Sequence, residues 1–259
     1  GWFHLRLGHG TKGYELAVVA GSDPSGPPRD LVKFLRTLAF EEKSGELIGP
    51  ETKRSAWILV GPHRRAGLLT VARVVAGRSE DAQDMRGTPN VDFLAVELHE
   101  GQAPPAGLIR TADRLFSGTA RAEEVPEMLR QPSSLVPPPS APVFRQLLEV
   151  TVAAASSATP DGAAQSPGPS SMDPVDALAW MWWACPPGLR TNLVAVLGFR
   201  PLRELAGLAV FLQPRVWVDF SASGHANGGA ARVQGGVRDY GDVVLSLLSD
   251  GNRRHQLDD

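Results

Sequence analysis

The sequence predicts an α+β protein: a unit built on a mainly antiparallel sheet, followed by a helix-rich unit with a short sheet. Three observations lead there. Short β-like apolar runs recur along the chain, glycine- and proline-rich segments punctuate them, and amphipathic helical stretches stand between them. The 259 residues are 42% hydrophobic and contain 27 glycines and 22 prolines, which suits many short elements joined by turns. We divide the chain into an α+β domain over 1–132, a Pro/Ser-rich connector with one helix over 133–172, and an α+β domain with a Trp-rich helix over 173–259.

Trp2–Leu7 and Tyr14–Ala20 read as two strands, with Gly8-His9-Gly10-Thr11-Lys12-Gly13 as their hairpin loop. A breaker run, Gly21–Pro28, leads into Arg29–Phe40, where Leu31, Phe34, Leu35 and Leu38 recur at helical spacing. Ala56–Val60 is strand-like, and the apolar run Leu68–Val75 fits either strand or helix. Asp92–Leu98 reads as another strand, and Gly107–Phe116 and Ala122–Leu129 as short helices. Four prolines stiffen Ser133–Pro142. A helix over Val143–Ala155 follows, then a Ser/Ala/Gly/Pro-rich stretch, Ser156–Ser171, expected to be flexible. Asp173-Pro174 opens the next helix as N-cap and first helical residue, and Pro186-Pro187-Gly188 stops it after Ala184. Leu189–Phe199 comes next, carrying Leu193, Val196 and Leu197. Leu205–Leu212 and Val216–Phe220 read as strands, Gly224–Gly236 as a glycine loop, and Tyr240–Leu248 as a last short helix.

Charge and motif content narrow the function. The formal net charge is −2, with neither half of the chain strongly basic, so binding to nucleic acid is not expected. No apolar run is long enough to span a bilayer, and no secretory signal is visible at the start. A lone cysteine, Cys185, excludes an internal disulfide framework and a cysteine-built zinc site, and a cytoplasmic location is the expectation. Gly8-x-Gly10-x-x-Gly13 has the letters of a dinucleotide fingerprint. That motif works only where a helix opens at its third glycine and turns its N-terminus to pyrophosphate, and here a β-like run follows. The six histidines form no metal-binding pair. Glu97 and His99 share one strand face, which makes half a site at most. No metal, cofactor or catalytic residue is assigned. The alternative is a hydrolase or transferase site at the end of a strand, where Asp219, Ser221, Ser223 and His225 alternate on one face; Asp219, Ser223 and His225 are the triad residue types.

The aromatic cluster in 174–184 is the most unusual local feature. At about 100° per residue, Trp180 and Trp183 share one face of the helix while Trp182 lies with Leu178, Met181 and Cys185 on another. Two readings stay open: a helix buried on two sides, or an aromatic anchor for a partner protein.

Three pieces of the chain carry a resemblance. They are Leu5-Arg6-Leu7-Gly8-His9-Gly10-Thr11-Lys12-Gly13-Tyr14, then Arg86-Gly87-Thr88-Pro89-Asn90-Val91-Asp92-Phe93-Leu94 after Val71-Ala72-Arg73-Val74, and Trp182-Trp183-Ala184-Cys185-Pro186-Pro187-Gly188-Leu189-Arg190. In this order the chain resembles the N-terminal and middle domains of the bacterial GTPase-associated adaptor proteins of NTP-dependent conflict and signalling systems. In that family a His usually stands after the Arg-Gly-x-x-Asn-like turn, where this chain has Asp92-Phe93. The resemblance implies a non-enzymatic adaptor that binds a protein partner, with a small GTPase foremost. Trp180, Trp183 and Arg190, then Arg86 and Asn90, are the expected partner-binding residues.

Overall fold

A computed structural model of the chain describes residues 1–10, 13–41, 56–61, 68–75, 90–97, 107–130, 139–156, 164–165, 174–190, 193–197, 216–219 and 235–249. The fold is α+β. Its strands are β1 (Trp2–Gly10), β2 (Gly13–Gly21), β3 (Ala56–Val60), β4 (Leu68–Val75), β5 (Asn90–Glu97), β6 (Ala164–Gln165), β7 (Leu193–Leu197) and β8 (Val216–Asp219). Its helices are α1 (Arg29–Glu41), α2 (Leu108–Phe116), α3 (Val125–Arg130), α4 (Ala141–Ser156), α5 (Pro174–Ala184), the single turn α6 (Pro187–Arg190) and α7 (Gly235–Ser249), with a 3-10 turn over Ala122–Glu124.

The described strands form one sheet in the order β2-β1-β5-β4-β3-β7-β8-β6. The first six are antiparallel to one another, whereas β8 runs parallel to both β7 and β6. The glycines between the first two strands close a hairpin as expected, with Gly10 opposite Gly13. The sheet continues across the division drawn at residue 132, because β3 pairs with β7, Ile58 opposite Val196. Leu68–Val75, compatible with either element by periodicity, is the strand β4. Its run of Val71, Val74 and Val75 is β-branched and it has a partner on each side.

The stretch from Leu189 divides into the end of α6 and β7. Leu-Val-Ala-Val-Leu is a continuous apolar run, which suits a strand buried on both faces. Within Ser156–Ser171, Ala164 and Gln165 pair in parallel with Val218 and Asp219. Two helices are longer than periodicity suggested. α4 takes in Pro142 in its first turn, where no N–H is needed, and α7 begins at Gly235, inside the expected glycine loop. Leu205–Leu212 lies outside the described residues.

Registers sort the strand residues onto two faces. One carries Trp2, Trp57, Leu59, Val71, Leu94, Val96, Leu193, Ala195, Val216 and Val218, and these join buried residues of α2, α4 and α5 in one core. The opposite face buries Phe3, Leu5, Leu7, Ile58, Val60, Phe93 and Ala95. α1 buries Leu31, Phe34 and Leu35 at the i, i+3, i+4 positions predicted for it. Gly61, just past β3, lies against the segment that leads from α6 into β7. Its N–H donates to the Leu193 carbonyl at 2.8 Å, and a Cβ at this position would stand 2.2 Å from the Arg190 carbonyl oxygen. Only glycine leaves room for that approach. No helix among the described residues is long and apolar enough to cross a membrane.

Candidate functional site

Two polar centres stand inside this frame. The first is a row across β1, β5 and β4. Register places Arg6, Asp92 and Arg73 directly opposite one another, with His4 two residues along β1 on the same face. Asp92 is buried, its side chain only 6% exposed. Its Oδ1 accepts from Arg6 Nε at 2.7 Å and lies 3.1 Å from His4 Nε2, while Arg73 Nη2 stands 3.8 Å from Oδ2. Burial alone pushes the Asp92 carboxyl up. The hydrogen bonds from His4 and Arg6, together with their charges, outweigh that and hold it below the ordinary carboxylate range.

Phe116, the last residue of α2, lids the row. Its ring lies 5.4 Å from the His4 ring and 5.3 Å from the Arg73 guanidinium, and its carbonyl accepts from Arg73 Nη2. Arg73 also lies 5.8 Å from the Trp57 ring. Burial lowers the pKa of Arg73 from its ordinary value, while the charges of Asp92 and Asp113 draw it back up against a further lowering by Arg6. The arrangement can orient a histidine, but a relay also needs a nucleophile at the other ring nitrogen. His4 Nδ1 has no hydrogen-bond partner among the described residues. Nor do those residues contain a group of three His, Cys, Asp or Glu able to hold a metal.

The second centre closes the C-terminal end of α5. A helix leaves its last carbonyls unpaired. The Cys185 N–H returns to the Trp182 carbonyl at 3.2 Å, but Pro186 and Pro187 beyond it have no N–H to offer. Three side chains from elsewhere supply the donors. Tyr240 Oη on α7 donates to the Trp183 carbonyl at 2.6 Å and Arg190 Nε to the Cys185 carbonyl at 3.0 Å, while the Thr151 hydroxyl on α4 shares its proton between the Ala184 carbonyl at 2.9 Å and the Leu148 carbonyl of its own helix at 2.7 Å. Arg190 Nη2 also donates to Tyr240 Oη at 2.9 Å, and the guanidinium lies over the Trp182 and Trp183 rings at 5.6 and 5.4 Å. A cation at the negative end of a helix is favourable in its own right. Burial raises the Tyr240 pKa, against the opposing charge of Arg190 and the hydrogen bond from it. No family model, curated protein or solved structure matches this chain.

These contacts decide several sequence expectations. Trp180 and Trp183 are 2% and 4% exposed and belong to the main core, so the aromatic anchor gives way to the helix buried on two sides. Asp176 to Ala184 are all buried, so the tryptophans of α5 can point in several directions without meeting water. Arg190 is half-buried and engaged in the clasp just described. Asn90 is the first residue of β5, opposite Val75. Asp219 is the last residue of β8, opposite Val196 and Gln165. Arg86, Ser221, Ser223 and His225 lie outside the described residues, as do Asp173, His99 and Lys12.

Cys185 is buried, and burial drives its thiol up to about 12 despite the nearby Arg190 charge. At pH 8 almost none of it is thiolate, the form that reacts. A chromogenic disulfide reagent is therefore expected to leave the native chain unlabelled and to label one thiol per chain after denaturation. Rapid labelling of the native protein would contradict the burial.

No spacing within a single segment reveals the Asp92 row, because its members stand on three strands. A signal was present all the same. Arg73 and Asp92 stand between apolar neighbours in their strands, as His4 and Arg6 do in β1, and a buried charge needs a partner on an adjacent strand.

Proposed function

We propose that this chain is a non-enzymatic cytoplasmic adaptor that binds a partner protein, with a bacterial small GTPase as the first candidate, in a signalling or conflict system. One observation carries the binding reading: among the described residues, β2 forms an edge of the sheet. β2 is nine residues long and terminal in the strand order, and its Ala17, Val18 and Val19 are exposed, the two valines at 51% and 50%. Exposed edges recruit extended segments through main-chain hydrogen bonds, so native proteins commonly blunt them with lysine, proline or bulges. β2 has neither lysine nor proline, and its one bulge sits late, where Val19 is the extra residue between the Leu5–Val18 and His4–Ala20 pairs.

The choice of a GTPase rests on the resemblance of the three motifs. Its first two pieces are hydrogen-bonded neighbours in the fold, Leu7 opposite Val91 and Leu5 opposite Phe93, which is consistent with one recurring frame. The test is affinity capture of the small GTPase encoded beside this gene, loaded in turn with GDP and with a non-hydrolysable GTP analogue. Association in at least one state is expected. Failure to associate in both removes the GTPase from the reading.

A further inference from the structure

The edge that supports the adaptor reading is also complementary to itself. In the regular part of β2, ahead of the bulge, Leu16 and Val18 are opposite Leu7 and Leu5 of β1 and therefore share one face of the sheet, while Glu15 and Ala17 share the other. Glu15 is the only charged residue in the strand.

We propose that two copies of the chain join through β2, antiparallel, about a two-fold axis passing through Leu16, so that the sheet runs on from one copy into the other. In that register Leu16 meets Leu16 of the copy, Val18 stands opposite position 14, and Glu15 stands opposite Ala17. Apolar positions fall against apolar positions, and the carboxylate faces a methyl group rather than its own image.

Neighbouring registers do worse. An axis through Glu15 opposes two carboxylates directly, which destabilises a cross-strand pair. An axis through Ala17 or Val18 draws the bulged Val19 into the middle of the ladder, opposite Glu15 or Ala17, whereas the axis through Leu16 leaves it at the last pair, opposite Gly13. Two-fold pairing is also the commonest symmetry of soluble homo-oligomers, because one patch serves both copies. The pairing buries the half-exposed Val18 and satisfies the outer backbone groups of the edge. This proposal rests on reading β2 as an interaction edge, and it adds a consequence. The copy and a protein partner compete for the same strand, so self-association restrains partner binding.

The test uses the full chain, without any GTPase. Light scattering coupled to size exclusion is expected to give twice the mass of one chain at tens of micromolar. Val18→Lys, at an exposed position, is expected to return it to one chain mass with an unchanged circular dichroism spectrum and melting temperature. Under mild oxidation Leu16→Cys is expected to form an interchain disulfide, since directly opposite residues in antiparallel strands come within disulfide reach, whereas Val19→Cys is expected to cross-link far less. Cys185 is buried and does not compete. A wild-type chain that stays at one chain mass overturns the proposal. So does a dimer that survives Val18→Lys, or one in which Val19→Cys cross-links as readily as Leu16→Cys. GTPase capture is measured separately with the Val18→Lys chain as well as the wild type, and failed capture by both leaves the dimer standing.

Discussion

Replacing Asp92 by alanine is expected to destabilise the protein by about 3 kcal/mol, at the lower end of the range for removing one partner of a buried charge cluster. The loss does not come from the Arg6 pair alone. Arg6 is 49% exposed, its released guanidinium returns to water, and Arg6→Ala is expected to cost under about 1 kcal/mol. The cost arises from His4, which stays buried beside Phe116 without its hydrogen-bond partner, and from Arg73, which keeps the Phe116 carbonyl but loses its counter-charge. Asp92→Asn keeps an oxygen for Arg6 and His4 and should fall between wild type and Asp92→Ala. Urea unfolding at neutral pH measures all three variants. An Asp92→Ala loss below about 1 kcal/mol would mean that the row is solvated and contributes little.

The same carboxylate sets a pH dependence whose sign follows from its lowered pKa. A carboxyl with a folded pKa below its unfolded value binds protons more readily when unfolded. Its stabilisation is complete above the unfolded pKa, near 3.9, and is lost as pH falls through the lower folded value. The stability difference between wild type and Asp92→Asn is therefore expected to be constant from neutral pH down to about 5 and to shrink below about 4. A difference that grew on acidification would reverse the assignment.

Periodicity sufficed where one face of an element is buried and the other is wet. The first hairpin and α1 were legible for that reason: glycines sit where the chain must turn, and Leu31, Phe34 and Leu35 recur on one side. Periodicity fell silent where burial is two-sided. β7 is apolar at every position because both of its faces are covered, and such a run has no period to read. The pairing of β3 with β7 joins residues nearly 140 positions apart, and no local signal encodes it. For the same reason the Asp92 row could be seen only as isolated polar residues, because its geometry exists only once three strands are in register. The clasp on α5 is intermediate. Pro186-Pro187 announced that the helix ends, but nothing local named Tyr240 and Thr151 as the donors that replace the missing N–H groups.

Trp180→Ala is expected to cost about 3–5 kcal/mol, the range for removing a large aromatic from a core. Two readings of this residue make opposite predictions. An anchor for a partner lies at the surface of the free chain, so truncating it weakens binding and leaves folding almost untouched. A core residue fails in the isolated protein. Trp180 is among the largest fully buried side chains, and α5, which carries it, packs against α2, α4 and β7. Removing its indole leaves a cavity that these neighbours fill only in part, held as they are by the Thr151 and Tyr240 bonds at the end of α5. Thermal and urea unfolding of the purified variant, with no partner present, separate the two. A loss under about 1 kcal/mol together with weakened capture of a partner would restore the anchor. The expected loss instead places Trp180 in the core of the isolated chain, among the neighbours that α5 has in α2, α4 and β7.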